Sequence, residues 1–219
     1  MIIPCVYLKN ANIGIQGKNC PMEFEIAKKV KPCRDFDVFL HHRIQLYINM
    51  SDVLASLKKG DLRTIGESDR VAEKVLRHPE LLEELLSGLE SEDTGVCMRA
   101  SDAAEKVSAA RSGIFSPHIE KLIKIAQVST QQEVQWHLAQ ILPRLDLTDV
   151  QRDRTFHILV RFLNTTKSRI VETFSLQALA DVAIAMPVYR KKVTRLIKSR
   201  MNNGSPAVIA RGRKLLQLL

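Results

Sequence analysis

Apolar side chains recur in one helical pattern that is written four times, about every 37 residues. The copies are Val96–Ala100–Ala103–Ala104–Val107, Val134–Leu138–Ile141–Leu142–Leu145, Val171–Ser175–Ala178–Leu179–Val182 and Val208–Gly212–Leu215–Leu216–Leu219. Each uses the offsets i, i+4, i+7, i+8 and i+11, which lie on one face of a helix. They begin 38, 37 and 37 residues apart, and only Ser175 and Gly212 interrupt the apolar series. A period in this range predicts an array of stacked helix pairs, because one pair cannot bury both of its apolar faces alone.

Partner helices are predicted between the copies. Pro79–Leu89, Pro117–Val128, Thr148–Leu163 and Pro187–Met201 each carry spaced aliphatic residues. Three of them open on proline, which suits a first helical position where the missing N–H has no intrahelical partner. Upstream, the pattern predicts a short helix over Val53–Lys59, ended by Gly60, and a longer one over Leu62–Arg77. The fragment Ala72–Glu73–Lys74–Val75 returns as Ala104–Glu105–Lys106–Val107, so Leu62–Arg77 reads as a shortened first copy. Residues 50–219 are therefore expected to form the array. Residues 1–49 lack the period, and Met50–Ser51–Asp52–Val53 reads like a chain start followed by an N-cap. Residues 1–49 are expected to be an appendage, partly irregular or disordered.

The chain has 219 residues, 45% hydrophobic and 26% charged, with a net charge of +9. Its charge is unevenly placed. Residues 187–219 hold nine Lys/Arg and no Asp or Glu, residues 50–186 balance to −3, and residues 1–49 to +3. No stretch approaches the ~18 apolar residues of a membrane span. The four cysteines (Cys5, Cys20, Cys33, Cys97) form no CxxC pair, and the N-terminus lacks the form of a secretion signal. A cytoplasmic location with reduced thiols is expected.

The second helix of each copy resembles that of the HEAT-repeat family of α-solenoids, over roughly residues 51–219. Asp93–Val96–Ala100–Ala104 and Glu133–Val134–Leu138–Leu142 match its outline of an acidic residue, Val, a small residue and spaced leucines. The slot after the Val, usually Arg in that family, holds Cys97, Gln135, Glu172 and Ile209. The resemblance implies an all-α, right-handed solenoid of about four to five helix pairs, serving as scaffold or adaptor rather than catalyst.

In such a solenoid the second helices line the concave face. Positions three and six past each Val are then expected to meet solvent: Arg99 and Asp102, His137 and Gln140, Phe174 and Gln177, Arg211 and Lys214. Lys106, Arg144 and Asp181, ten past the Val, extend this ladder. A peptide or helix of another protein held in the groove is the leading reading. Arg190, Lys191, Lys192, Arg195 and Lys198 form a basic block whose alternative use is nucleic-acid contact through phosphates. A third reading comes from alkylpurine DNA glycosylases built on HEAT-like solenoids, prompted by Trp136 and His137. No second aromatic and acidic residue stand at matching positions, so no catalytic residue is assigned. Neither a metal nor a cofactor is expected, because no ligand spacing, glycine-rich phosphate loop or nucleophile elbow occurs. A homodimer through the apolar C-terminal helix is a further expectation.

Overall fold

The computed structural model describes residues 53–58 and 64–219, all within the second of two compact units of the chain, Gln45–Leu219. The expected appendage at residues 1–49 lies outside the described residues. The described chain is all-helical, without a strand. After a helical turn over 53–57, nine α-helices follow: α1 Ser68–Arg77, α2 Leu82–Ser87, α3 Thr94–Arg111, α4 Ile119–Val128, α5 Gln132–Ile141, α6 Asp149–Thr165, α7 Arg169–Ala185, α8 Arg190–Asn202 and α9 Pro206–Leu216.

Local chemistry sets the boundaries. Asp93 Oδ1 accepts from the N–H groups of Gly95 (2.8 Å) and Val96 (3.1 Å), capping α3. Thr148 and Gln151 form a reciprocal capping box at the start of α6, and Ser205 caps α9, with Pro206 at its first position. Each satisfies backbone donors that the first turn of a helix leaves unpaired.

Two boundaries differ from expectation. The first copy starts at Ser68, not Leu62, because Gly66 has φ 53°, a left-handed conformation that no α-helix continues through. The prolines do not open α-helices. Pro79 and Pro187 each begin a 3-10 turn, and Pro117 sits inside the 3-10 segment Ser112–His118. His78 and Met186, preceding two of these prolines, are held out of the helical region (φ −129° and −124°), as the proline ring requires of its predecessor.

The repeat register is seen directly in burial. All fifteen positions of the first three copies are buried, including Ser175. In the fourth copy Val208, Gly212 and Leu215 are buried, whereas Leu216 and Leu219 are half-exposed. The odd helices pack in chain order, α1 on α3, α3 on α5, α5 on α7 and α7 on α9. Each even helix packs on the odd helix that follows it, and α4 also packs on α6. Close approach matters at Gly88, where a Cβ would stand 2.8 Å from Ala100 Cβ and 3.0 Å from Leu54 Cδ2.

Candidate interaction surface

The expected ladder on the odd helices is a set of bonds between neighbouring helices. Arg99 departs furthest from expectation: it is 2% exposed, and its Nε donates to Leu57 O at 2.6 Å. His137 is likewise buried. Its Nδ1 lies 3.0 Å from Ser101 Oγ on α3 and 2.8 Å from Glu133 O, and Trp136 Nε1 donates to its Nε2 at 2.9 Å. Neither residue lines a groove, and Trp136 packs partly buried against the core.

Asp102 and Lys106 join α3 to α1. Lys106 Nζ lies 2.6 Å from Asp102 and 2.5 Å from Asp69, and Ser68 Oγ donates to Asp102 at 2.5 Å. Burial pushes the Asp102 carboxyl up. The Lys106 ammonium and the Ser68 hydroxyl outweigh that and hold it well below the usual carboxylate range. Burial also works against the Lys106 charge, and the two carboxylates more than compensate, raising its pKa.

Further along, Arg144 pairs with Glu105 at 2.6 Å, and Arg211 donates to Gln177 Oε1 at 2.7 Å. Gln177 donates in turn to Asp181 at 2.9 Å. Asp181 differs from Asp102 in sign, since burial raises its pKa more than Gln177, Arg211 and Arg144 lower it. Gln140 turns back to Trp136 O at 3.3 Å. Phe174 is half-buried against the core, and Lys214 is exposed.

A second ladder runs along the even helices. Glu83 of α2 receives Lys121 at 2.5 Å and His118 at 2.8 Å, and chiefly the Lys121 hydrogen bond lowers its pKa. Glu120 of α4 receives Gln151 at 2.9 Å and Arg154 at 2.8 Å. Asp153 of α6 accepts from the Tyr189 hydroxyl, which raises the tyrosine pKa. Tyr189 also stacks on Phe156 with ring centroids 3.8 Å apart, and Lys192 lies 5.0 Å over the same Phe156 ring.

These contacts share a direction. Lys106, Lys121, Arg144, Arg154, Arg200 and Arg211 each reach back to an acceptor on an earlier helix. Arg161 does the same, donating to Ala126 O at 2.5 Å. Repeats therefore present acceptors forward and cations backward.

The slot after the Val has a role that its sequence alone did not reveal. Cys97 Sγ lies 2.9 Å from Ser91 O, and Gln135 Nε2 donates to Ser129 O at 2.9 Å, each reaching six residues back to the preceding connector. Glu172 does not make that reach back. It is 5% exposed and takes Arg169 at 3.0 Å and Arg200 at 3.9 Å instead. The shared offset of one from a buried Val was the available signal.

At the C-terminal pair the pattern changes. Arg190, Lys191, Lys192, Arg195 and Lys198 are exposed on α8, and Arg213 and Lys214 on α9. Arg195 donates only to Lys191 O of its own helix (3.3 Å), and α8 carries no carboxylate. Among the described residues no group of three His, Cys, Asp or Glu is placed to hold a metal ion, and no helix is long and apolar enough to cross a membrane. Comparison of the chain with protein families, with characterised proteins and with solved structures yields no match.

Proposed function

We propose that residues 50–219 form a right-handed, HEAT-like α-solenoid that works without chemistry as a protein-binding scaffold or adaptor in the cytoplasm. The supporting observation is the chain-order packing of α1, α3, α5, α7 and α9, with side-chain bonds recurring at one-repeat spacing in both helix series. Helices stacked by nearest-neighbour contact offer a long surface relative to their core, the geometry that suits recognition of another chain. Along the expected groove, Arg144 and Lys214 are exposed and Asp102, Lys106, Gln140, Gln177, Asp181 and Arg211 partly exposed, and of these Asp102, Lys106, Arg144, Gln177 and Arg211 are engaged with neighbouring helices. A groove ligand would have to exchange with those bonds. The exposed cations Lys191, Arg195 and Lys198 of the C-terminal pair make no ion pair among the described residues and ask for no such exchange.

Cross-linking mass spectrometry on the full chain in nuclease-treated extract tests the scaffold reading. Specific cross-links from residues 94–219 to another protein are expected to persist after nuclease. Their disappearance on digestion, or their absence from the start, would sink it.

A nucleic-acid reading has one observation in its favour: Lys191, Arg195 and Lys198 are exposed on one acid-free helix. Against it, Tyr189 is stacked on Phe156 and bonded to Asp153, so the aromatic nearest the basic block is occupied. Binding through phosphates would weaken steeply with salt, which a filter-binding series measures.

A further inference from the structure

We propose that the seam between α3 and α5 holds a proton-operated switch, in which a proton on His137 exchanges its bond to Trp136 for one to Asp102. This goes beyond the scaffold reading and stands or falls without it. The contacts around the ring fix its neutral form. Nδ1 lies 2.8 Å from Glu133 O, a carbonyl that can only accept, so Nδ1 carries the hydrogen. Ser101 Oγ, 3.0 Å from the same nitrogen, gives its own hydrogen to Met98 O at 2.8 Å and so also faces Nδ1 as an acceptor. Nε2 is then bare, and it accepts the Trp136 indole N–H at 2.9 Å. Both nitrogens of the neutral ring are bonded, in a residue only 7% exposed.

A second proton has one place to go. On Nε2 it meets the hydrogen of the Trp136 indole, donor against donor, and that bond is lost. The acceptor that replaces it is already at hand. Asp102 Oδ1 lies 3.6 Å from Nε2, and closing that gap to the ~2.8 Å of a charge-assisted hydrogen bond takes less than about 1 Å of movement. Ser68 and Lys106 both bond to Oδ2 of Asp102, which leaves Oδ1 without a donor among the described residues. Asp102 stays ionised through the range in which an imidazole titrates, because the Lys106 ammonium and the Ser68 hydroxyl hold its carboxyl low. Asp69, Asp102 and Lys106 together carry one negative charge, which the proton on His137 cancels.

Among the described residues, the other charges around the ring are engaged elsewhere. On α3, Arg99 bonds to Leu57 O and Glu105 to Arg144. On α7, Glu172 takes Arg169 and Arg200, Asp181 takes Gln177, and the place three past the Val, which His137 holds on α5, is Phe174. On α4, Glu120 and Lys121 are paired along the even helices and Lys124 is exposed. On α5 itself, the Glu133 carboxylate accepts from Gln132 at 3.0 Å. Asp102 is therefore the one charge placed to receive the proton. The exchange draws α5 onto α3 through a new ion pair and frees the indole of Trp136, which is half-buried against the core. Proton uptake at one buried ring thus changes both a seam of the array and the surface beside it.

Trp136 is the only tryptophan of the chain, so its emission and its indole N–H resonance report on this seam alone. The full chain is titrated from about pH 8 to about pH 5, the range in which imidazoles change charge. Nitrogen-15 spectra of the His137 ring, assigned by its contact with the indole, are expected to show a hydrogen on Nδ1 alone at the upper end and on both nitrogens at the lower. Over the same step the indole resonance should move upfield and the emission should shift to the red, while far-UV circular dichroism stays constant. Asp102→Asn should lower the midpoint of the step by about one pH unit or more, the effect of removing an opposite charge at this distance. Glu105→Gln, whose carboxylate faces Arg144 instead, should leave the midpoint in place. A hydrogen on Nε2 at the upper end, a ring still neutral at the lower, or an indole that ignores the titration of the ring overturns the switch. So does an unchanged midpoint in Asp102→Asn, or a step that coincides with loss of helicity. If Asp102→Asn does not fold, the ring and indole spectra of the parent chain decide alone. No partner takes part in these measurements, so their failure leaves the scaffold reading where it stands.

Discussion

Leu179 and Leu216 occupy the same offset in successive copies, one buried and one partly exposed, so truncating each measures what burial at that offset contributes. Leu179 is in α7, 0% exposed, between α5 and α9. Leu216 ends α9 and is half-exposed. Leu→Ala in a closed core costs about 2–5 kcal/mol, from lost transfer free energy and the cavity left behind. At Leu179 the middle of that range, about 3 kcal/mol, is expected, because helices flank α7 on both sides. At Leu216 part of the side chain stays in contact with solvent and no closed cavity forms, so the cost should be about 1 kcal/mol. Both are Leu→Ala within an α-helix, so the propensity terms nearly cancel in the comparison. For a domain of this size each kcal/mol lowers Tm by about 2–4 °C. Leu179→Ala should therefore lose about 6–12 °C and Leu216→Ala about 2–4 °C in thermal melts followed by far-UV circular dichroism, with urea titrations giving the same order. Equal losses would mean that Leu216 is as closely packed as Leu179. A loss at Leu179 below about 1 kcal/mol would refute the register itself.

Three further outcomes follow from named contacts. Gly88→Ala places a methyl 2.8 Å from Ala100 Cβ, which has no torsion by which to retreat, so α2 and α3 must separate; urea melts should show a loss of about 1–3 kcal/mol. Asp102→Asn removes a carboxylate whose folded pKa is depressed. Its stabilisation is complete above the unfolded value of about 4 and fades as pH falls through the lower folded value, so the deficit of the variant should be full at neutral pH and shrink in acid. Asp181→Asn has the opposite sign, because burial raises that pKa. The ionised carboxylate costs stability at neutral pH and nothing once the unfolded state is also protonated. The variant should melt higher than the parent at pH 7 and at the same temperature in acid; a lower Tm at pH 7 would show that the Arg211 and Arg144 charges outweigh burial.

The core was legible because five positions per copy repeat one burial requirement, and an error at Ser175 or Gly212 leaves the others to carry the pattern. The ladder was misread for a geometric reason. At about 100° per residue, a position three past the Val lies about 60° from it, on the margin of the apolar stripe rather than opposite to it. With an odd helix packed on either side, that margin is closed. Arg99 is therefore enclosed and His137 is wedged against Ser101 of α3. Lys214, six past its Val and on the last helix, meets neither condition and is exposed. The pairing of Glu83 with Lys121 and of Glu120 with Arg154 had no sequence signature, because the partners are 38 and 34 residues apart and no fixed spacing marks them. Amphipathic periodicity reports which face of a helix is inside. It does not report how wide its neighbours make that face.

The uneven charge of the chain is partly a consequence of this one-way pairing. An array in which every repeat gives carboxylates forward and cations backward is nearly neutral inside, as the balance of −3 over residues 50–186 reflects. The α8–α9 pair holds no carboxylate, and the need its cations meet is that of the acceptors on the preceding repeat. Three backward contacts, from Lys192, Arg200 and Arg211, meet that need. The other six cations exceed it.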